Sequence, residues 1–493
     1  MKYRPTIGLE IHVELKTQSK MFCACANGLG LEKEPNVNIC PICSGQPGTL
    51  PVINEEAVYM VLKTGLALNC QIPKISKFDR KNYFYPDLPK GYQISQYDKP
   101  LCGQGFLEIA AEEGRKKIGI RRIHLEEDTG KLIHPKGASY SLVDFNRAGV
   151  PLMELVTEPD ITSGLQAKNF CQELQLILRY LGVSDADMEK GQMRCEVNIS
   201  ISSGEKELGT KVEIKNLNSF RAVEKSIDYE IKRQTEALEN NEKIIQETRG
   251  WDEASGVTFS QRLKEEAHDY RYFPEPDLPP LEGIDILAEK LKRELPELPS
   301  QKRERFSKEY KLPKEDIELL VVNKDLSDFF EKAVSELGEW VKIAQPKVDF
   351  FRAVKLGANY LITEMQKLLY QKNLSFKEIK ITPENFAEFI KLVFQQVVSS
   401  SGAQVLLAEM LVSGADPSHI IKEKDLGQLS DEEELTRVVA EVLDKNPSPV
   451  ADYRKGRQNA LMFLVGKVMA QTRGKANPQI VTELLKKQIG ESE

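Results

Sequence analysis

Ile7-Gly8-Leu9-Glu10-Ile11-His12-Val13-Glu14-Leu15 alternates with period two, placing apolar residues at odd positions and Glu10, His12 and Glu14 on the other side. Such a stretch reads as a β-strand with one face for a core and one for polar groups. Three further segments repeat the pattern. In Arg122-Ile123-His124-Leu125-Glu126-Glu127-Asp128, His124, Glu126 and Asp128 face one way while Leu125 and Glu127 face the other. Arg194 to Ile201 sets Arg194, Glu196 and Asn198 opposite an apolar row, and Lys211-Val212-Glu213-Ile214-Lys215 sets two lysines and a glutamate against Val212 and Ile214. A solvated strand face is ordinarily polar, so one such strand says little. Four of them, rich in acids and histidines beside Asn and Arg and nearly free of Thr, predict an antiparallel sheet whose concave face holds several carboxylates.

Two helical stripes support that sheet: Phe170, Leu174, Ile177, Leu178 and Leu181, ending at Gly182, and Phe220, Val223, Ile227, Ile231 and Leu238, starting after Ser219. The fold class is α+β. After Pro279-Pro280 the periodicity becomes helical and Lys/Glu-rich, with turn signals at Pro296, Pro299, Pro313, Pro346, Pro383 and Pro417. This places a domain boundary near 290 and a softer one near 405.

The 493 residues, 41% of them hydrophobic, suffice for two to four domains with their own cores. No uncharged apolar run approaches the roughly 18 residues of a membrane span. Met1-Lys2-Tyr3-Arg4-Pro5 leads straight into the first strand without an apolar leader, so the cytosol is the expected compartment. A net charge of -7 argues against a uniformly basic nucleic-acid binder and leaves room for a local basic face.

Four of the eight cysteines fall within 21 residues, as Cys23-Ala24-Cys25 and Cys40-Pro41-Ile42-Cys43. Two such pairs offer four thiolates to one tetrahedral ion, the donor set of a structural zinc knuckle at 23–43. Cys70 and Cys102 stand apart, as do Cys171 and Cys195, which lie on apolar faces and read as core.

A face carrying Glu10, His12, Glu126, Glu196 and Glu213 supplies the hard donors that Mg²⁺ and a nucleotide's phosphates require. Arg194, Lys211 and Lys215 would balance the charge of a transferring phosphoryl group. No G-x-x-x-x-G-K-[ST] occurs, so any ATP site is built on the sheet. Lys77-Phe78-Asp79-Arg80-Lys81-Asn82-Tyr83-Phe84-Tyr85-Pro86-Asp87 interleaves cations with aromatics, which suits stacking on a base, with Arg80, Lys81 and Tyr83 as nucleotide contacts; the weaker alternative is that Phe84 and Tyr85 are core. Asp269 to Asp277, D-Y-R-Y-F-P-E-P-D, is a second such stretch, which its prolines mark as ordered loop. Neither Ser399-Ser400-Ser401-Gly402 nor Cys102-Gly103-Gln104-Gly105 has the partners a hydrolytic nucleophile needs, so no glutaminase chemistry is expected within the chain.

These segments, together with Lys215-Asn216-Leu217-Asn218-Ser219-Phe220 and Gly474-Lys475-Ala476-Asn477-Pro478, closely resemble the B subunits of aspartyl/glutamyl-tRNA amidotransferases. The resemblance implies a glutamine-synthetase-like cradle over 1–290, an all-helical domain over 291–405 and a YqeY-like tail over 406–493. It implies a glutamine-dependent carbon-nitrogen ligase, in which ATP and Mg²⁺ phosphorylate the side-chain carboxylate of Glu-tRNA(Gln) or Asp-tRNA(Asn). Ammonia would arrive from an amidase-type A subunit braced by a small C subunit. It carries Glu10, His12 and Glu126 over as the metal and phosphate positions, with Glu196, Glu213 and Lys215 behind them. Some members lack the four cysteines, so zinc would serve local folding.

Between Arg454 and Lys475 stand six basic residues, Arg454, Lys455, Arg457, Lys467, Arg473 and Lys475, and no acid. Leu461, Leu464, Val465, Val468 and Met469 share that stretch at helical spacing, so it reads as a basic helix offering cations to tRNA phosphates. Two rivals are weaker. A small-molecule carboxylate-amine ligase has no use for the long helical extension, and a zinc-containing RNA scaffold leaves the four carboxylate-bearing strands unexplained.

Overall fold

A computed structural model describes residues 3–28, 34–204, 208–263, 270–344, 348–427, 432–472 and 474–490. The described chain separates into two compact units, Met1–Pro299 and Ser300–Glu493.

The first unit is built on β1 (Arg4–Glu14), β2 (Ile75–Ser76), β3 (Asp79–Asn82), β4 (Tyr92–Ser95), β5 (Gly105–Ala111), β6 (Gly114–Glu127), β7 (Lys131–Ile133) and β8 (Leu142–Asp144). There follow β9 (Pro151–Thr157), β10 (Met193–Ser202), β11 (Val212–Leu217), β12 (Glu247–Asp252), β13 (Val257–Leu263), β14 (Phe273–Pro274) and β15 (Leu281–Glu282). Eight of them form one sheet in the order β13-β12-β11-β10-β1-β9-β6-β5. Every pairing in it is antiparallel except β11 with β12, a departure from the purely antiparallel sheet that the strand patterns predict. The long helix between those two strands permits it, since a parallel pair needs a crossover.

The period-two reading of β1 holds: Ile7, Leu9, Ile11 and Val13 are buried, and Met153, Leu155, Val197 and Ile199 join them in one core. Over that core pack α1 (Glu55–Ala67), α2 (Gly164–Leu181) and α3 (Phe220–Glu239), with α4 (Ile284–Arg293) beside α1. The caps of α2 and α3 are local. Ser163 and Ser219 accept the backbone N–H groups of Gln166 and Ala222, and Gly182 closes α2 at φ 71°. Helix α1 is absent from the sequence reading because its apolar residues are interrupted by Lys63, Thr64 and Gly65 and leave a weak stripe. Asn54 caps it. The stretch closing this unit is not loop throughout, since Phe273–Pro274 pairs with β3 at Arg80 and Asp79. Pro274 is tolerated because β14 is an edge strand in the order β14-β3-β4.

In the second unit the described elements are helical: α5 (Pro299–Tyr310), α6 (Lys314–Val321), α7 (Lys324–Ile343), α8 (Phe350–Asn359), a π-helical turn at Tyr360–Met365, α9 (Gln366–Lys372), α10 (Pro383–Phe394), α11 (Ser400–Ser413) and α12 (Pro417–Lys424). Then come α13 (Glu432–Lys445), α14 (Pro447–Arg454), α15 (Gln458–Gln471) and α16 (Pro478–Gly490). Pro383 and Pro417 sit at first helical positions behind the caps Thr382 and Asp416. Pro346 lies outside the described residues. Phe329 meets Phe376 and Phe386 in the earlier helices, while Leu435, Val439, Leu464, Val468, Val481 and Leu485 form a separate cluster among the later ones. No helix among the described residues is long and apolar enough to cross a membrane.

Gly65 in α1 shows how tightly the first core closes. A Cβ placed there would lie 2.3 Å from the Cys102 sulfur. Overpacking costs about 1–3 kcal/mol, against roughly 1 kcal/mol of helix propensity gained by alanine. Gly65→Ala is expected to lower the thermal midpoint of the protein, and adding Cys102→Ala to recover at least half of the loss. Calorimetry on the single and double variants checks this.

Candidate active site

The register of the large sheet assembles the polar face. His124 on β6 stands opposite Glu154 on β9, Glu154 opposite His12 on β1, and His12 opposite Arg194 on β10. Directly opposed residues share a face, so these four side chains form one row across adjacent strands. His124 Nε2 lies 3.0 Å from Glu154 and 3.6 Å from Glu126, while His12 Nε2 lies 3.4 Å from Glu154 and 3.9 Å from Glu126. Glu126 also accepts from the Ser95 hydroxyl of β4 at 2.8 Å.

His124, Glu126 and Glu154 are all buried. Burial would push the Glu154 carboxyl up, yet the charge of His124 and the hydrogen bond from His12 hold it well below the usual range. Glu126 is lowered in the same way against its burial, by His124 and Lys81. Conversely burial would lower His124, and Glu154 and Glu126 outweigh it and raise the imidazole to about 9. His12 is raised by the same two carboxylates against its own burial.

One step along the sheet, Glu10 faces Glu196 on β10 and accepts from Asn198 Nδ2 at 2.8 Å. Lys215 of β11 lies 2.8 Å from Glu196 and 3.6 Å from Glu213. Glu10, His12, Glu126, Arg194, Glu196, Glu213 and Lys215 thus stand on neighbouring strands of one sheet face. Lys211 is exposed ahead of β11, outside this network.

The two aromatic stretches, read separately in the sequence, meet. Asn82 hydrogen-bonds the carbonyls of Tyr270 and Arg271, Tyr83 and Tyr270 pack edge to face, and Tyr97 stacks on Tyr272 at 4.3 Å. Lys81 lies 4.9 Å from the Tyr270 ring centre, in the field of Glu126 and Glu154. Phe84 and Tyr85 are not core; they are 86% and 59% exposed. Arg80, expected from the sequence to contact a nucleotide, also has protein partners: it grips Glu275 at 2.7 and 2.9 Å and reaches Asp277 at 3.3 Å. That bidentate pair ties β3 to the strand closing the unit. Asp269 and His268 lie outside the described residues.

Sequence reading missed Glu154. Pro151-Leu152-Met153-Glu154-Leu155-Val156-Thr157 carries no alternation, because β9 lies inside the sheet between β1 and β6 and is covered on both faces. One acid in such a run was the available signal, since a buried carboxylate needs a partner.

Among the described residues, two groups of side chains could hold metal. His12, Glu126 and Glu154 bring one imidazole nitrogen and two carboxylate oxygens within 4.8 Å of one another. Around them Arg122 Nε, His124 Nδ1, Arg194 Nε and Asn198 Oδ1 are buried without a partner among the described residues. Donors and acceptors left open on a buried face are what an absent polar ligand leaves behind. The second group is Cys23, Cys25, Cys40 and Cys43, whose sulfurs also lie within 4.8 Å of one another. Zn–S bonds of about 2.3 Å in a tetrahedron put sulfurs about 3.8 Å apart, and Cys43 stands 3.9 Å from Cys40 and 4.0 Å from Cys25. The hydrogen bond from Cys23 and the nearby Lys20 ammonium lower the Cys43 thiol to about 4 against its burial, giving the thiolate a metal needs.

The family description "GatB/GatE catalytic domain" matches residues 5–287, and "GatB domain" matches residues 347–489. The chain is 50% identical over 490 residues to the B subunit of the aspartyl/glutamyl-tRNA(Asn/Gln) amidotransferase of Caldanaerobacter subterraneus subsp. tengcongensis, covering 99% of this chain and 100% of the relative. The chain belongs to the GatB family. The same-named protein of Thermotoga maritima is 49% identical over 492 residues, covering 99% of each chain. The GatB/GatE catalytic match contains every residue of the polar face and all four clustered cysteines.

The basic stretch before Lys475 is not one helix. Helix α14 ends at Arg454, Gly456 turns the chain at φ 88°, and α15 begins at Gln458. Leu461, Leu464, Val465 and Val468 are buried, and Lys455 and Lys467 are exposed. Four of the described cations have protein contacts: Arg454 with the Ile489 carbonyl at 3.1 Å, Arg457 with Asp452 at 3.2 Å, Lys467 with the Phe463 ring at 5.2 Å from its centre, and Lys475 with Asp425. Arg473 lies outside the described residues.

Protein prepared without chelator is expected to contain close to one zinc per chain, and replacing any one of the four cysteines by Ser to lower the melting temperature more than turnover. Elemental analysis and thermal melts of the four variants decide it; a metal-free wild type would refute the assignment.

Proposed function

We propose that this GatB-family chain activates the side-chain carboxylate of Glu-tRNA(Gln) or Asp-tRNA(Asn) with ATP, as the B subunit of a cytoplasmic heterotrimer. The observation that supports this best is the row His124-Glu154-His12 with Glu126, buried except for the half-buried His12 and flanked by open hydrogen-bonding atoms on one sheet face. His12, Glu126 and Glu154 are the residues that would hold Mg²⁺, with Glu10, Glu196 and Glu213 farther along the face. Mg²⁺ would screen the phosphates of the nucleotide and help set their orientation. Arg194 and Lys215 bring positive charge to the same face, and Lys81 with the Tyr83, Tyr270 and Tyr272 rings offers a surface for the base.

A carboxylate is a poor acyl donor, because displacement would expel oxide. Attack of its oxygen on the γ-phosphorus forms an acyl phosphate and releases ADP. Ammonia from an amidase-type A subunit then attacks the carbonyl carbon and phosphate leaves, giving the amide. The sheet's cations face charge that grows on the phosphoryl oxygens during transfer, which is where preset charge accelerates a reaction.

The zinc knuckle at 23–43 would support local folding beside this face. We assign residues 1–290 to the cradle, 291–405 to a helical domain and 406–493 to a tRNA-binding tail, with an amidase-type A subunit and a small C subunit as partners in the complex; the separate apolar cluster of α13, α15 and α16 supports the tail assignment. Within it Arg454, Lys455, Arg457, Lys467, Arg473 and Lys475 are the proposed phosphate contacts, with Lys455 and Lys467 exposed to solvent.

In the assembled complex, Glu10→Gln and Glu126→Gln should each reduce tRNA-dependent ATP cleavage and amide formation at least about a hundredfold while the partner's glutaminase activity persists. Neutralising Lys455 and Lys467 should instead raise KM for the mischarged tRNA and flatten its salt dependence by roughly one unit of slope for each phosphate no longer neutralised. Near-normal amidation by either glutamine variant would overturn the assignment of the face.

A further inference from the structure

We infer that Asp128 and Arg147 are positioning residues that hold the Arg194 guanidinium ready for the transferring phosphoryl group, an inference that rests on the function proposed above. Arg194 stands opposite His12 in the β1–β10 register, which puts it at the edge of the cluster formed by His12, Glu126 and Glu154. One terminal nitrogen donates to Asp128 Oδ2 at 2.5 Å. Its Nε is buried with no partner among the described residues, although the side chain as a whole is 36% exposed. A guanidinium presents five N–H groups in a flat fork, so tying one edge to a fixed carboxylate sets the plane and leaves other donors to be satisfied.

Asp128 is itself fixed. It is only 4% exposed and follows directly on β6. Its Oδ1 accepts the Thr129 N–H at 2.8 Å and its Oδ2 lies 3.5 Å from Arg147 Nε. The backbone pins it on both sides, donating to the Val150 carbonyl at 2.8 Å and accepting from Gly149 at 2.9 Å. Arg147 completes the frame by donating to the carbonyls of Thr129 at 3.0 Å and Gly130 at 2.8 Å. The turn that carries Arg147 rests on the four-cysteine knuckle: Met21 donates to the Gly149 carbonyl at 2.7 Å and Asn38 to the Asn146 side chain at 2.9 Å. A Cβ on Gly149, whose φ is 86°, would lie 3.3 Å from Cys43. Knuckle, turn, aspartate and arginine therefore form one continuous set of contacts ending on the reactive face.

A surface ion pair would need none of this. The buried carboxylate with two arginines, a backbone donor and a supporting turn fixes a cation whose Nε has nothing to bind among the described residues. Stabilising charge that develops in a transition state requires such a donor to be in place before the charge appears.

A double-mutant cycle in the assembled amidotransferase separates positioning from stability. Asp128→Asn and Arg194→Lys should each lower kcat for tRNA-dependent ATP cleavage at least about tenfold, with KM for ATP little changed. The double variant should be no slower than Arg194→Lys, since Asp128 acts through Arg194. Arg147→Ala, which removes the outer contact alone, should give a smaller loss of kcat and serves if Asp128→Asn does not fold. Asp128→Glu should recover part of the activity. Additive losses in the cycle, or lowered melting temperatures with kcat intact, would overturn the inference. A wild-type complex without tRNA-dependent ATP cleavage would overturn the proposed function first and this inference with it.

Discussion

A carboxylate in the middle of an eight-stranded sheet is tolerable only if positive charge meets it there, and Glu154 is met by two imidazoles on the strands at either side. Placing β9 between β1 and β6 makes this possible, because only that order puts His12 and His124 across from the same residue. The apolar sides of the same strands fix the order in turn. Ile11 and Val13 of β1, Met153 and Leu155 of β9, and Ile123 and Leu125 of β6 all enter one core. A slip of one residue in any pairing would exchange the two faces and bury the acids in hydrocarbon. The polar row and the core are thus two consequences of a single register.

The remainder of the face is organised around that row. Ser95 reaches Glu126 from the small sheet formed by β14, β3 and β4, and Lys81 faces the same acids from β3. Arg80, bound to Glu275, ties β3 of that small sheet to the chain just after β14, beside Lys81 and the tyrosines. On the far side, Lys215 joins β11 to Glu196 of β10, extending the alternation of charge across the sheet.

Much of this was legible in the sequence because alternation survives wherever one strand face is polar. Glu10, His12, Glu126 and Glu196 follow from period two alone, and the cysteine spacing announces a four-sulfur group. Glu154 did not follow, since a strand covered on both faces has no alternation to read. For Arg80, composition shows a cation near aromatics but not that Glu275, 195 residues later, pairs with it. Asp128 was placed on the correct face, but its link to Arg147 depends on a turn that only the folded chain brings near. The π-helical turn at Tyr360–Met365 left no mark in the sequence that we can identify.

As proposed above, His12, Glu126 and Glu154 would together hold one divalent cation. Titration of the assembled complex with Mn²⁺, followed by electron paramagnetic resonance, tests it most directly. One Mn²⁺ site, displaced by Mg²⁺, is expected, and it should be lost in Glu154→Gln while the zinc content and melting temperature of that variant stay close to wild type. Unchanged Mn²⁺ binding in a folded Glu154→Gln protein would contradict it.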